Sequence, residues 1–304
     1  VRIEASTAWG VAPTLTQGKD TGMKLVRFGA PGAEKPGLID AEGAVRDLSA
    51  HVKDITGETL ALASLDKLRE LDPRALPAAP AGVRLGPPVG NVRNFIAVGL
   101  NYIDHAKETG AEIPKEPILF NKLPNSIVGP SDDVMIPKGS LKLDYEIEIA
   151  FVVGQRARYV SEKDALAYVA GYTICNDISE RHFQAERGGQ WMKGKCAETF
   201  GPLGPWLVTR DEIANVQALG MSLDVNGQRR QTGNTETMIF GIQHLMHYIS
   251  QFMVLEPGDV VTTGTPPGVA LGMKPPVWLK AGDVMTLRIE GLGEQRQKVV
   301  PFQA

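Results

Sequence analysis

The stretch LDYEIEIAFVVG, residues 143–154, sets Asp144, Glu146 and Glu148 two apart in a run that alternates like a β-strand. Side chains two apart on a strand leave by the same face. Three carboxylates are therefore crowded together, and they repel unless water or a cation lies among them. Facing water is the ordinary solution. Ala150 and Val152 continue the same face, however, so it turns apolar within one residue pair and sets the acids at the lip of a core. Burial there is costly without a compensating charge. A further acid follows, for GYTICNDISERHFQ runs from an apolar segment into Asn176–Asp177 and then presents Arg181 and Gln184. The pair Glu146 and Glu148 with Asp177 contains no Cys or His, and such an oxygen-only set suits a hard cation. Mg2+ fits best, because it keeps positions open to water or substrate. On these residues alone, a solvated acidic face and a metal site are both open.

Other local patterns carry less. GQWMKGKC, from Gly189, departs from the phosphate-binding GxxxxGK[ST] loop in its last place, Cys196. That loop also needs a helix after it, whereas CAETFGPLGPW follows here, so no nucleotide site is expected. There is no glycine-rich dinucleotide fingerprint and no GxSxG elbow. His244 and His247 fall on an apolar helical run and read as packed or surface residues, and His51 carries no signal.

The 304 residues are 43% hydrophobic and 22% charged, with a net charge of −3. That balance offers no basic excess for nucleic acid or an anionic membrane, and no apolar run is long enough to span a bilayer. Two cysteines, Cys175 and Cys196, without metal-type spacing, fit a reducing cytoplasm, Cys175 as a buried inert thiol.

The elements that must position the acids divide the chain. Residues 1–22 read as a tag or leader, since MKLVRFG from Met23 looks like a start followed by a strand. Residues 23–90 read as a small α+β unit with short strands, a helix in LALASLDKLREL and a Pro/Ala/Gly-rich linker. In residues 91–304, NFIAVGL and DYEIEIAFVVG are strands, and NYIDHAKETG is a short helix ended by Gly110. SEKDALAYVAGY reads as a helix, with Ser161 and Asp164 resembling a capping box. MSLDVNGQ is a strand turning at Asn226–Gly227. TETMIFGIQHLMHYISQFM is an amphipathic helix with Ile239, Ile242, Leu245, Met246, Ile249 and Phe252 on one face. PGDVVTTGTP and AGDVMTLRIEG are further strands. Strands outnumber helices without regular alternation, which points to an α+β, β-rich fold.

Six motifs in order, VGLNYIDHAKE, PILFNKLPNSIVGP, DYEIEIAFVVG, GYTICNDISERHFQ, GKCAETFGPLGPWLVT and GDVVTTGTPPGVA, resemble the fumarylacetoacetate hydrolase family over about residues 91–300. The resemblance implies a rolled mixed β-sheet, a Mg2+ or Mn2+ site and a homodimer. It also implies Glu146, Glu148 and Asp177 as metal ligands, Lys195 as the active-site lysine and His105–Glu108 as a catalytic pair. Arg181, Gln184 and Thr265 match positions that contact substrate, as do Lys122 and Ser126 in the F-x-K-x-x-x-S segment. Three residues apart on a helix, His105 and Glu108 share a face. A carboxylate beside an imidazole orients it as a base toward water.

The chemistry implied is hydrolysis of a 2,4-dioxo acid to pyruvate and a second acid. GGQWMKGKCAETFGPLGPWLVT and VNGQRRQTGNTETMIF are similar to bacterial members of sugar-acid catabolism. This implies L-2,4-diketo-3-deoxyrhamnonate of an L-rhamnose pathway as substrate, with L-lactate as the second product. The polar QRRQTGNT either contacts a hydroxylated tail or is a solvated turn. Fumarylpyruvate or another acylpyruvate, a 2-oxo acid decarboxylation or isomerisation, and a ureidoglycolate lyase-like reaction are the alternatives on the same scaffold.

Overall fold

A computed structural model describes residues 22–303; the leader expected over residues 1–22 lies, apart from Gly22, outside the described residues. Two sheets make the frame. The larger runs in the order Val45–Asp47, Lys35–Ile39, Lys24–Phe28, Gly201–Thr209, Val169–Asn176, Ile147–Val153, Val260–Thr262, Phe95–Gly99 and Ile118–Lys122. Ile127–Val128 lies parallel beside Gly201–Thr209, and Val260–Thr262 is parallel to Phe95–Gly99, so the sheet is mixed. The smaller sheet orders Gln228–Asn234, Gly220–Val225, Val284–Ile289, Gly293–Val300 and Val134–Met135. With few and short helices, the α+β, β-rich expectation matches the fold.

The strand Ile147–Val153 lies inside the larger sheet and is buried along its whole length. Ile147, Ile149, Phe151 and Val153 pack in one core with Leu223, Val225, Leu287 and Ile289 of the smaller sheet. Ala150 and Val152 of the other face pack with Leu25, Leu48, Ile55, Leu60 and Leu65 of the N-terminal segment. That segment continues the larger sheet through the pairs Lys24↔Val208 and Leu25↔Leu207. Both faces of the acid-bearing strand are thus packed into cores beyond its carboxylates, and its β-branched and aromatic residues suit such a setting.

Two turn readings hold for a backbone reason. Asn226 and Gly227 have φ of 53° and 77°, the positive values a tight two-residue hairpin needs. Gly110 closes the helix Ile103–Thr109 in the left-handed region. Two helix expectations are corrected. Ser161–Tyr172 is not an α-helix but a 3-10 segment, Glu162–Tyr168, that passes into the strand Val169–Asn176. Ser161 Oγ does donate to Asp164 Oδ2 at 2.6 Å, but the following Val, Tyr, Thr and Ile favour the sheet they pair with. The amphipathic helix spans only Ile242–Phe252, after a 3-10 turn at Thr235–Thr237, and Phe252 is 66% exposed rather than on the core face. Asn101 ties this approach down, its amide donating to Phe240 O at 3.0 Å and its oxygen accepting from Phe240 N at 2.9 Å.

Candidate active site and metal centre

The pairing register builds the acidic cluster. In the antiparallel ladder Cys175 faces Glu148 and Asn176 faces Ile147, so Asp177, one step beyond, arrives beside Glu146. Asp177 N donates to Glu146 O at 2.8 Å. The chain around Glu146 leaves the regular ladder, and side chains serve its backbone: Asn176 Oδ1 accepts from Glu146 N at 3.2 Å, and Gln231 Oε1 from Ile147 N at 3.0 Å. Carboxylate oxygens of Glu146, Glu148 and Asp177 come within 4.8 Å of one another, and all three residues are buried. A solvated face is excluded.

Cations interleave the acids. Lys195 Nζ stands 2.5 Å from Glu146 Oε2 and 2.7 Å from Asp177 Oδ2. Lys122 Nζ is 2.6 Å from Asp177 Oδ1 and donates to Lys195 O at 2.6 Å. Arg181 reaches Glu146 Oε1 through Nη2 at 2.5 Å, Asp144 Oδ2 through Nε at 2.8 Å and Gln184 Oε1 through Nη1 at 3.0 Å. Glu148 is served differently, its Oε2 accepting from the Thr262 hydroxyl and from Gly264 N at 2.8 Å. These environments set its proton affinity apart from that of Glu146. Burial pushes Glu148 well above the usual carboxylate range, and Asp177 and Glu146 add to the shift. Against the cost of burial, Arg181 and Lys195 hold Glu146 well below that range. Lys195 is buried too, yet Asp177 and Glu146 hold its ammonium above the ordinary lysine value.

The residues fit a hard divalent ion. Donors on opposite sides of Mg2+ lie about 4.2 Å apart, a span within reach of a cluster whose oxygens gather inside 4.8 Å. Asp177 Oδ1 is buried and accepts no hydrogen bond, although the Lys122 ammonium lies close by. An oxygen-only, all-carboxylate donor set is the chemistry Mg2+ and Mn2+ select.

A cavity of about 250 Å³ opens onto this cluster, lined also by His105, Arg181, Gln184, Lys195 and Thr265. His105 is 7% exposed, and its Nδ1 lies 3.2 Å from Glu108 Oε2. The other oxygen of Glu108 accepts from Gly268 N at 2.9 Å, so the 264–272 loop holds the carboxylate that faces the imidazole. Thr265 lines the cavity but spends its hydroxyl on Ile147 O at 2.8 Å and accepts from Gln231 Nε2 at 2.8 Å. Lys122 sits behind Asp177 rather than in the lining. Ser126 is not brought to the cavity either: it is buried and donates to Leu123 O at 2.7 Å. His244 pairs with Glu162 at 2.9 Å and His247 contacts Val160 O at 2.7 Å, both outside the cavity lining.

Four contributors were not among the expected site residues: Asp144, Gln231, Trp191 and Phe120. Asp144 was visible in the alternation, but it faces Arg181 rather than the ligand cluster. Gln231 hid in a polar stretch, and nothing in its neighbours distinguished it from the exposed Gln228 and Arg229. Trp191 and Phe120 of the cavity wall meet edge to face, their centroids 5.4 Å apart, from segments 71 residues apart in sequence.

Residues 94–300 match the family description "Fumarylacetoacetate (FAA) hydrolase C-terminal". The chain belongs to this family. Among its relatives, a Burkholderia multivorans protein provisionally named a hydrolase is 56% identical over 276 residues, covering 90% of this chain and 98% of its own. A fumarylacetoacetate hydrolase of the psychrophile Exiguobacterium antarcticum superposes with a TM-score of 0.83 at 36% identity, over 92% of this chain and all of that one. A maleylpyruvate hydrolase of Sphingobium sp. SYK-6, solved with manganese(II) and pyruvate, gives 0.78 at 28% identity over the same shares. A 5-carboxymethyl-2-hydroxymuconate delta-isomerase of Mycobacterium smegmatis gives 0.73 at 31%, over 93% and 100%. Both hydrolases and an isomerase thus share this scaffold.

Proposed function

We propose that this chain is a divalent-metal-dependent hydrolase that cleaves the carbon–carbon bond of a 2,4-dioxo acid, releasing pyruvate and a second acid. The observation that supports it is one cavity lined both by the carboxylate cluster and by a buried imidazole held by a carboxylate. Glu146, Glu148 and Asp177 hold Mg2+, or Mn2+ in its place. When bound, the ion polarises the 2-oxo acid end as a Lewis acid. Charge supports this choice of substrate. The buried cluster has four carboxylates, Asp144, Glu146, Glu148 and Asp177, against the three cations Lys122, Lys195 and Arg181. With Glu148 ionised by a bound divalent cation, one net positive charge is left, which a monoanionic 2-oxo acid neutralises.

His105, steadied by Glu108, takes a proton from water, and the water oxygen bonds to C4 of the substrate. The C3–C4 bond then breaks, its electron pair passing into the enolate of pyruvate, and the proton that His105 took from water is returned to C3. The Lys195 ammonium is assigned the stabilisation of the negative charge on that enolate oxygen. Arg181 and Gln184 orient the substrate, Thr265 shapes its place in the wall, and Lys122 holds Asp177 in position. No role is proposed for Ser126. The finer reading, on sequence likeness, is a cytoplasmic homodimer acting on L-2,4-diketo-3-deoxyrhamnonate to give pyruvate and L-lactate.

The test is pyruvate release, followed with lactate dehydrogenase and NADH, from a panel of 2,4-dioxo acids with Mg2+ or Mn2+. Where L-lactate is the second product it is measured separately. No pyruvate from any of them, with carbon dioxide released from oxaloacetate or double-bond migration in a muconate, moves the reading to a decarboxylase or isomerase. The isomerase among the similar structures makes that second outcome a real one. Turnover unaffected in His105→Ala leads to the same conclusion.

A further inference from the structure

Polar side chains are unevenly spread around the cavity. Glu146, Glu148, Asp177, Lys195, Arg181, Gln184, His105 and Thr265 are the polar lining, and the rest is Val98, Leu100, Ala111, Phe120, Trp191 and Leu271 with glycine and alanine. Phe120 joins the two regions: the Lys195 ammonium stands 5.5 Å from its ring centre, and Trp191 packs on it at 70°. Gly99 seats the indole, since a Cβ there would lie 2.4 Å from Trp191 Cζ3. The aromatic wall therefore starts at the cation–carboxylate cluster and runs away from it.

No permanent cation of the described lining is left over for a second anionic group. Lys195 is spent on Glu146 and Asp177, and Arg181 on Asp144, Glu146 and Gln184. Basic residues nearby in the chain are turned elsewhere. Lys193 donates to Arg187 O at 2.7 Å and Lys142 pairs with Glu186, and neither these two nor Arg230 belong to the cavity lining. Against this carbon surface a carboxylate gives up part of its water for no charged partner, whereas an uncharged chain gains from the contact.

From this distribution we propose that the enzyme takes acylpyruvates whose acyl group is uncharged, seated against Trp191, Phe120 and Leu271, and rejects those whose acyl group ends in a carboxylate. The proposal rests on the acylpyruvate hydrolase reading and narrows its substrate class. It separates this chain from a maleylpyruvate hydrolase of the same fold, whose substrate is a dicarboxylate.

The experiment measures kcat/KM of the full chain with Mg2+ for 2,4-dioxopentanoate, 2,4-dioxohexanoate and 2,4-dioxooctanoate against maleylpyruvate and fumarylpyruvate. The uncharged substrates are expected to be favoured by about 100-fold or more over the dicarboxylates, with a gain of roughly fourfold for each further methylene seated on the wall. Leu271 is 47% exposed at the cavity mouth, so it can accept a long side chain. Leu271→Arg raises the ratio of fumarylpyruvate to 2,4-dioxohexanoate turnover by about 10-fold or more. Trp191→Ala lowers the ratio of the eight-carbon to the five-carbon substrate by about 10-fold. Both readouts are ratios within one protein preparation, so partial unfolding does not mimic them. Maleylpyruvate or fumarylpyruvate cleaved as well as 2,4-dioxohexanoate overturns the proposal and leaves the hydrolase reading standing. Failure of every 2,4-dioxo acid overturns both.

Discussion

Asp144, outside the ligand cluster, accepts hydrogen bonds at both oxygens, and changing one of its atoms has a large consequence. Its Oδ1 accepts from Tyr145 N at 2.9 Å and Ala270 N at 2.7 Å, while Oδ2 accepts from Arg181 Nε at 2.8 Å and Leu271 N at 3.1 Å. The side chain is wholly buried. In Asp144→Asn one oxygen becomes an NH2, and in either orientation that NH2 meets two N–H donors. Two buried donors lose their acceptor, at about 1–3 kcal/mol each, with more where the guanidinium is one of them. The buried ion pair to Arg181 is also broken from one side, a change that by itself costs about 3–5 kcal/mol. These costs overlap, so the expected loss is about 3–5 kcal/mol of unfolding free energy. Urea unfolding of wild type and Asp144→Asn, without added metal at neutral pH, measures it. Pyruvate release should fall as well, because Arg181 keeps only Glu146 and Gln184 to hold it. A destabilisation under about 1 kcal/mol would refute the claim that Asp144 anchors Arg181 and the 270–271 backbone.

Three further outcomes are expected. Mg2+ or Mn2+ at 100 times its dissociation constant should stabilise the native protein by about 2.7 kcal/mol. The same addition should do little for a variant carrying Glu146→Gln and Asp177→Asn, and an equal gain there would rule out the carboxylate cluster as the metal site. Gly272→Ala sets a Cβ 2.5 Å from Glu108 Cδ, a flexible end that can yield, so activity should drop by about 10-fold or more with little change in the urea midpoint. Full activity would show that the Glu108 position is unimportant. Tyr172 is buried, and burial, only partly offset by Arg210, raises its phenol from 10.0 to about 12. The folded state then holds this proton where the unfolded chain has released it. Its contribution to stability is therefore present below pH 10 and falls, by up to about 1.4 kcal/mol per pH unit, as pH rises toward 12. Urea midpoints between pH 9 and 11 should fall less steeply for Tyr172→Phe than for wild type, and identical slopes would contradict this placement.

Much of the site could be read before any coordinates. Chemistry that depends on residue type and local spacing is written in the chain itself. Glu146 and Glu148 two apart on a strand, His105 and Glu108 three apart on a helix, and the positive-φ hairpin at Asn226–Gly227 all need only neighbours. Local pattern failed where partners lay far away. Residues 169–172 read as the end of a helix, yet they are a strand, because Ile147–Val153 and Gly201–Thr209 offer hydrogen bonds on both sides. The tertiary structure alone decided which cations neutralise the acids: Lys195 comes 49 residues after Glu146, and the Gln231–Ile147 bond spans 84. It also decided that both faces of the acidic strand are covered, since one cover comes from the N-terminal segment and the other from the smaller sheet. A sequence records which groups can ionise or coordinate. How strongly they do so depends on the water and charge around them, and long-range packing sets both.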